Sequence, residues 1–159
     1  MKVMACGSSY MPVEKMKEFH RWLPDTKFQV IYGMTETSSP ALIFPGDSSV
    51  SEYAGAAGWP VPGIQFKFLD DKGKELGPGQ VGEIWVRGSM VLEQYYKMET
   101  GLITSDHWLN TGDMGYYNEK YYVYIVDRKK DMINRGGEKY GVRILRMKYR
   151  GFQASKRWL

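Results

Sequence analysis

The chain opens with short apolar runs broken by small residues. Residues 2–6 (KVMAC) form one such run and end at Gly7-Ser8-Ser9, which predicts a buried strand followed by a turn. Pro12 suits the first turn of a helix. Met11, Met16, Phe19 and Leu23 are spaced to share much of one face, and Pro24 stops it. That stripe is read as core packing. Residues 27–31 (KFQVI) predict the next strand. Strand, helix and strand within about 30 residues is the size of a βαβ unit, so a parallel sheet is expected.

The pattern then changes. Residues 38–63 are rich in Ser, Pro, Gly and Ala and predict a long irregular connection. From Gln65 to Leu69, Phe66 and Phe68 alternate with polar residues, and Asp70-Asp71-Lys72-Gly73 reads as a turn. Gly77-Pro78-Gly79 breaks the next segment before residues 82–87 (GEIWVR) alternate again, with Ile84 and Val86 on one side. Residues 121–126 (YYVYIV) predict another strand, followed by the charged run Asp127-Arg128-Lys129-Lys130-Asp131. The middle third therefore reads as a small antiparallel sheet or partial barrel.

Composition sharpens this in two ways. With 43% hydrophobic and 14% aromatic residues the chain has enough apolar material for a packed core, which excludes intrinsic disorder. No apolar run approaches the ~20 residues of a membrane span. The formal net charge of +4 is unevenly placed. Residues 141–159 hold Arg143, Arg146, Lys148, Arg150, Lys156 and Arg157 and no acid, leaving 16 basic groups against 18 acidic ones before them. The basicity thus belongs to a tail. Tyr149, Phe152 and Trp158 keep a nucleic-acid or membrane-surface role for that tail open as an alternative, though no nucleic acid is expected as a partner. The single cysteine, Cys6, is expected to be a buried bystander. One Cys and two His disfavour a zinc site, and the start lacks a signal-peptide core, so a cytoplasmic location is expected.

Three clusters stand out chemically. Tyr32-Gly33-Met34-Thr35-Glu36 follows the second strand of the βαβ unit, where ligands of open α/β sheets bind. A hydroxyl beside a carboxylate can serve a phosphate oxygen and a hard cation together, or simply cap a helix. Asn110-Thr111-Gly112-Asp113 places a carboxylate behind a glycine, suited to two vicinal hydroxyls but also to an ordinary turn. The Asp127–Asp131 run offers Arg128 to a ribose or phosphate oxygen and also has the composition of a hinge.

Together these clusters resemble one family, the adenylate-forming enzymes: acyl-CoA synthetases, aryl-CoA ligases, luciferases and peptide-synthetase adenylation domains. YGMTE is similar to the family's Tyr-Gly-x-Thr-Glu signature. The stretch from GWPVPG through GEIWVRGSMVLEQYY resembles its Gly-x-Pro-x-Pro-Gly to Gly-Glu segment, and WLNTGDMG and YIVDRKKDMINRGGEK resemble its ribose-binding and hinge segments. The Asn-Arg-Gly-Gly-Glu-Lys run is more like carboxylate-CoA or aryl-acid ligases than peptide-synthetase domains. The resemblance implies a slice of the acyl-CoA synthetase α/β fold. Residues 1–57 would close the large-domain sheet, 58–126 form a β-rich subdomain, 127–140 supply the hinge and the start of a small domain, and 141–159 a tail outside the family pattern.

It also implies a two-step reaction. A small carboxylic acid and ATP give acyl-AMP and pyrophosphate, and CoA then displaces AMP, with Mg²⁺ assisting. Thr35 would contact the α-phosphate and Glu36 would bind Mg²⁺. Gly7 and Ser8 would lie beside the nucleotide, Tyr32 and Gly33 would flank the adenine and acyl site, and Asp113 would take the ribose hydroxyls. Arg128 would contact ATP, Lys130 would mark the hinge, and Gly136 and Gly137 would lie on the loop admitting the thiol. The chain departs from the family at Gln94, His107 and Tyr121, where glycines are usual, and after Lys139, where the resemblance stops. The upstream phosphate loop and the late catalytic lysine are not among these 159 residues. The expectation is therefore a truncated, inactive fragment whose last residues come from a shifted reading frame, testable in the other two frames of the coding DNA. A non-catalytic nucleotide-binding remnant is the other alternative.

Overall fold

A computed structural model describes residues 2–97, 101–135 and 138–142. Strand β1 (Lys2–Cys6) pairs in parallel with β2 (Thr26–Tyr32), and helix α1 (Val13–Trp22) makes the crossover, as the βαβ spacing predicts. Pro12 stands just before the helix, where its missing N–H costs nothing, and its carbonyl accepts from the Lys15 and Met16 amides. The apolar stripe is shorter than expected. Met16 is fully buried and Phe19 stacks on Phe28 of β2 at 5.8 Å between ring centres, but Leu23 lies beyond the last turn and is exposed. Cys6 is half-buried rather than buried.

The irregular connection contributes two short strands that the sequence does not announce. β3 (Leu42–Ile43) pairs antiparallel with β2, and β4 (Trp59–Pro60) pairs with β3, so the sheet becomes mixed. Pro60, with no amide to donate, occupies the outermost strand.

A second sheet is an antiparallel meander of β5 (Ile64–Leu69), β6 (Gly82–Gly88), β7 (Leu109–Tyr117) and β8 (Val123–Arg128). The alternation in β6 holds: Ile84 and Val86 are both fully buried. Asp70 organises its turn by accepting the Lys72 and Lys74 amides on Oδ1 at 2.8 and 2.9 Å. The two sheets share one core, in which Leu42 and Ala57 pack with Phe68, Ile84, Val86, Leu109 and Val123. They are also stitched where Ala57 donates to the Val123 carbonyl and Val123 donates to that of Gly58.

Beyond β8, a short helical turn, Lys129–Asp131, leads into the antiparallel pair β9 (Met132–Arg135) and β10 (Glu138–Gly141). Gly136 and Gly137, and the basic positions at 143 and beyond, lie outside the described residues. No helix among the described residues is long and apolar enough to cross a membrane.

Candidate functional site

The strand order brings the three chemical clusters together. The site begins with an irregularity in the β6–β7 ladder. Glu83 faces Met114 and Trp85 faces Asn110, so Thr111, Gly112 and Asp113 on one strand oppose only Ile84 on the other. The surplus bulges out of the sheet, and Gly112 makes the turn with φ of +71°, where a side chain would be strained. The displaced backbone is held by side chains. Thr111 donates through Oγ1 to the Ile84 carbonyl at 2.8 Å and accepts the Asp113 amide, while Asn110 Oδ1 accepts the Gly112 amide at 2.9 Å.

This bulge presents Asp113 to the end of β2. The Tyr32 hydroxyl donates to Asp113 Oδ2 at 2.7 Å, and Arg128 Nε lies 3.5 Å from Oδ1. The Asp113 side chain is 9% exposed and that of Arg128 60%, so the carboxylate is sheltered and its cation faces solvent. Tyr32 is half-buried as a residue, but burial of its hydroxyl end is the largest influence on its ionisation. The Asp113 charge and hydrogen bond add to it, pushing the phenol far above the ordinary tyrosine range. Tyr32 is therefore a fixed donor at physiological pH.

Behind Tyr32 the chain turns sharply. A Cβ on Gly33 would come within 3.0–3.1 Å of Ser39 Oγ, the Ala41 amide and Pro40, which accounts for glycine there. Thr35–Thr37 forms a short helical turn, with Thr37 buried and bonded to the Met34 backbone and Thr35 exposed. Glu36 is clasped from the segment after β6: its carbonyl accepts the Leu92 amide at 2.8 Å, and its carboxylate accepts the Tyr95 hydroxyl. That hydrogen bond, together with burial and the carboxylate charge, raises the Tyr95 phenol above its ordinary value.

Two adjoining hollows result. A polar cleft of about 710 Å³ is lined by Ser8, Thr35, Glu36, Glu83, Thr111 and Arg128, among others. A more apolar hollow of about 210 Å³ is formed by Met11, Met16, Val30 and Ile125 together with Tyr32 and Asp113. Ser8, Gly33, Met34 and Arg128 line both. Lys130 lies on the rim, in a shallow hollow with Gly112 and Arg128. Gly7 lies behind the wall, where a Cβ would sit 2.7 Å from Ile31 Cγ1. Of the residues singled out by sequence, Ser8, Tyr32, Gly33, Thr35, Glu36, Asp113, Arg128 and Lys130 thus converge; Gly136 and Gly137 lie outside the described residues.

Four side chains to which the sequence assigned no role brace this site. Tyr95 holds Glu36, Thr111 and Asn110 hold the bulge, and Glu83 joins Asn110 to Lys129. Their sequence signal is weak, because a polar residue braced on a backbone resembles any other strand or turn residue until the fold shows its partner.

Comparison with known proteins points to one family. The profile of the AMP-binding enzyme family matches residues 1–96. The 2-succinylbenzoate–CoA ligase of Oceanobacillus iheyensis is 44% identical over 109 residues, covering 67% of this chain and 22% of that protein. The 4-coumarate–CoA ligase-like 6 protein of Oryza sativa subsp. japonica is 36% identical over 135 residues, covering 82% of this chain and again 22% of the relative. This chain therefore spans about a fifth of the length of these curated relatives. Among solved structures, the unliganded O-succinylbenzoate CoA synthetase of Bacillus subtilis superposes with a TM-score of 0.84 at 28% identity, over 97% of this chain and 34% of that one. The same enzyme in complex with ATP and magnesium gives 0.77 at 31% identity, over 87% and 29%. The family profile and these relatives agree: the chain belongs to the AMP-binding enzyme family.

Proposed function

We propose that this chain forms a nucleotide-binding face of an ATP-dependent carboxylate–CoA ligase. The carrying observation is the Tyr32–Asp113–Arg128 constellation at the junction of the two hollows. A carboxylate with four lone-pair sites can accept the Tyr32 hydroxyl and still receive two vicinal ribose hydroxyls. Arg128 holds a permanent positive charge beside it for a ribose or phosphate oxygen. The apolar hollow sharing Tyr32 and Asp113 takes the adenine base. The polar cleft, with Ser8, Thr35 and Glu36, takes the phosphates and the substrate carboxylate.

In the first step a carboxylate oxygen attacks the α-phosphorus, forming the acyl–phosphate bond while the bond to pyrophosphate breaks. In the second, a thiolate sulfur attacks the acyl carbon and AMP leaves with the oxygen. Thr35 donates to the α-phosphate, and Lys130 marks the pivot between the two steps.

No group of three or more His, Cys, Asp or Glu gathers among the described residues. A magnesium ion carried by phosphates needs only one or two protein carboxylates, and Glu36, held from behind by Tyr95, fits that demand. When bound, the ion supplies positive charge to the phosphate oxygens. Calorimetric titration with AMP tests the reading. Asp113→Ala is expected to weaken binding by at least about tenfold, the weight of charge-assisted hydrogen bonds. Equal affinity in the two proteins overturns the assignment.

A further inference from the structure

Glu83 is a buried carboxylate that the reaction does not use directly, yet both of its oxygens are committed. Oε1 accepts Asn110 Nδ2 at 3.0 Å, and Oε2 accepts Lys129 Nζ at 2.9 Å. The two partners belong to different parts of the site. Asn110, through Oδ1, holds the Gly112 amide and so shapes the bulge that presents Asp113. Lys129 stands between Arg128 and Lys130, in the helical turn that leads from β8 into the β9–β10 pair. The Glu83 side chain is 12% exposed and that of Lys129 47%, so the pair is sheltered on its acidic side and reaches solvent on the other. A carboxylate in that setting is costly to leave half-paired, because one partner's loss leaves an uncompensated, poorly hydrated charge.

We propose that Glu83 is a positioning residue that ties the Asn110–Asp113 bulge to the Arg128–Asp131 turn. Nucleotide on Asp113 and the docking of that turn then stabilise each other. The geometry permits this because the tie is short and continuous: Gly112 amide to Asn110, Asn110 to Glu83, Glu83 to Lys129. Ordering the bulge around a ligand fixes Asn110, which orients Glu83 toward Lys129. Releasing Lys129 instead loosens Glu83 and with it the Asn110 brace. Coupling of this kind is reciprocal, so it can be read from either end. The coupling rests on the proposed nucleotide reading, but the tie itself exists without ligand and can be measured without it.

Amide hydrogen exchange in the 159-residue protein tests both parts. Without nucleotide, Lys129→Ala is expected to speed exchange at Gly112 and Asp113 by about threefold to tenfold, the weight of one ordinary hydrogen bond in the brace. Glu83→Gln, which keeps the shape but leaves one acceptor oxygen for the two donors Asn110 and Lys129, is expected to do the same. Lys130→Ala, which removes an equal charge one residue further on, is expected to leave those amides unchanged. Unaltered exchange in both Lys129→Ala and Glu83→Gln, or an equal rise in Lys130→Ala, overturns the tie. With saturating AMP, the unmodified protein is expected to slow exchange at residues 129–131 by at least about threefold, and Lys129→Ala is not. AMP that binds and protects residues 110–113 without protecting 129–131 overturns the coupling and leaves the nucleotide reading standing. Absence of AMP binding sinks the nucleotide reading and the coupling together, and the nucleotide-free comparison still decides the tie.

Discussion

At the scale of single residues, Tyr32 shows how the fold turns an ordinary side chain into a fixed part of a site. Burial and the neighbouring Asp113 raise its phenol far above the usual value, so the folded protein keeps that proton where the unfolded chain gives it up. The sign follows from linkage. Its contribution is fully present below about pH 10, the ordinary tyrosine value, and is lost as pH rises above it. Tyr32→Phe is expected to cost about 1.5–3 kcal/mol at neutral pH through the lost hydrogen bond to the Asp113 carboxylate. Above about pH 10 the variant should lose stability less steeply, by roughly 1.4 kcal/mol per pH unit. Tyr116 and Tyr124, also raised by burial, add the same slope to both proteins. Urea unfolding between neutral and alkaline pH measures this, and parallel stability curves would contradict it.

At the scale of elements, the bulge between β6 and β7 governs what is possible. Gly115, next to a second register shift between β7 and β8, lies against β8 so closely that a Cβ would sit 2.4 Å from the Tyr124 carbonyl and 2.8 Å from Ile84. Gly115→Ala must part those strands or push Ile84 out of the core. A loss of at least about 2 kcal/mol in unfolding free energy is expected; a melt equal to that of the unmodified protein would refute it. The βαβ unit, the alternation of Ile84 and Val86 and the Asp70 turn were legible in the sequence because each has a local period or a turn residue. β7 was not: Asn-Thr-Gly-Asp has turn composition, and its nine-residue strand exists only because β6 and β8 flank it. The same holds for β3 and β4, which are too short to carry a pattern. The glycine departures at His107 and Tyr121 were legible as anomalies, and the backbone explains two of the three. Both residues hold left-handed conformations, φ of +62° and +61°, so glycine would be unstrained there. β8 accordingly begins at Val123, after Tyr121, rather than at the tyrosine itself.

At the scale of the whole molecule, the site lies across the two sheets rather than within either. Tyr32 comes from the parallel unit, Asp113 and Glu83 from the meander, Arg128 from the end of β8 and Lys129 from the turn after it. A shared core of Leu42, Phe68, Ile84 and Val86 keeps these pieces in register. The chain's motifs were separately ambiguous, since a Thr-Gly-Asp turn or a charged run has many uses; their order along the chain pointed to one family, and the fold brings them to one cleft. On the proposed reading, Asp113 takes the ribose hydroxyls of a bound adenine nucleotide. Titration with AMP and with its 2′,3′-dideoxy analogue tests this most directly. The protein is expected to bind AMP at least about tenfold more tightly than the analogue, and Asp113→Ala to lose this preference. Equal affinity of the unmodified protein for the two ligands would contradict it.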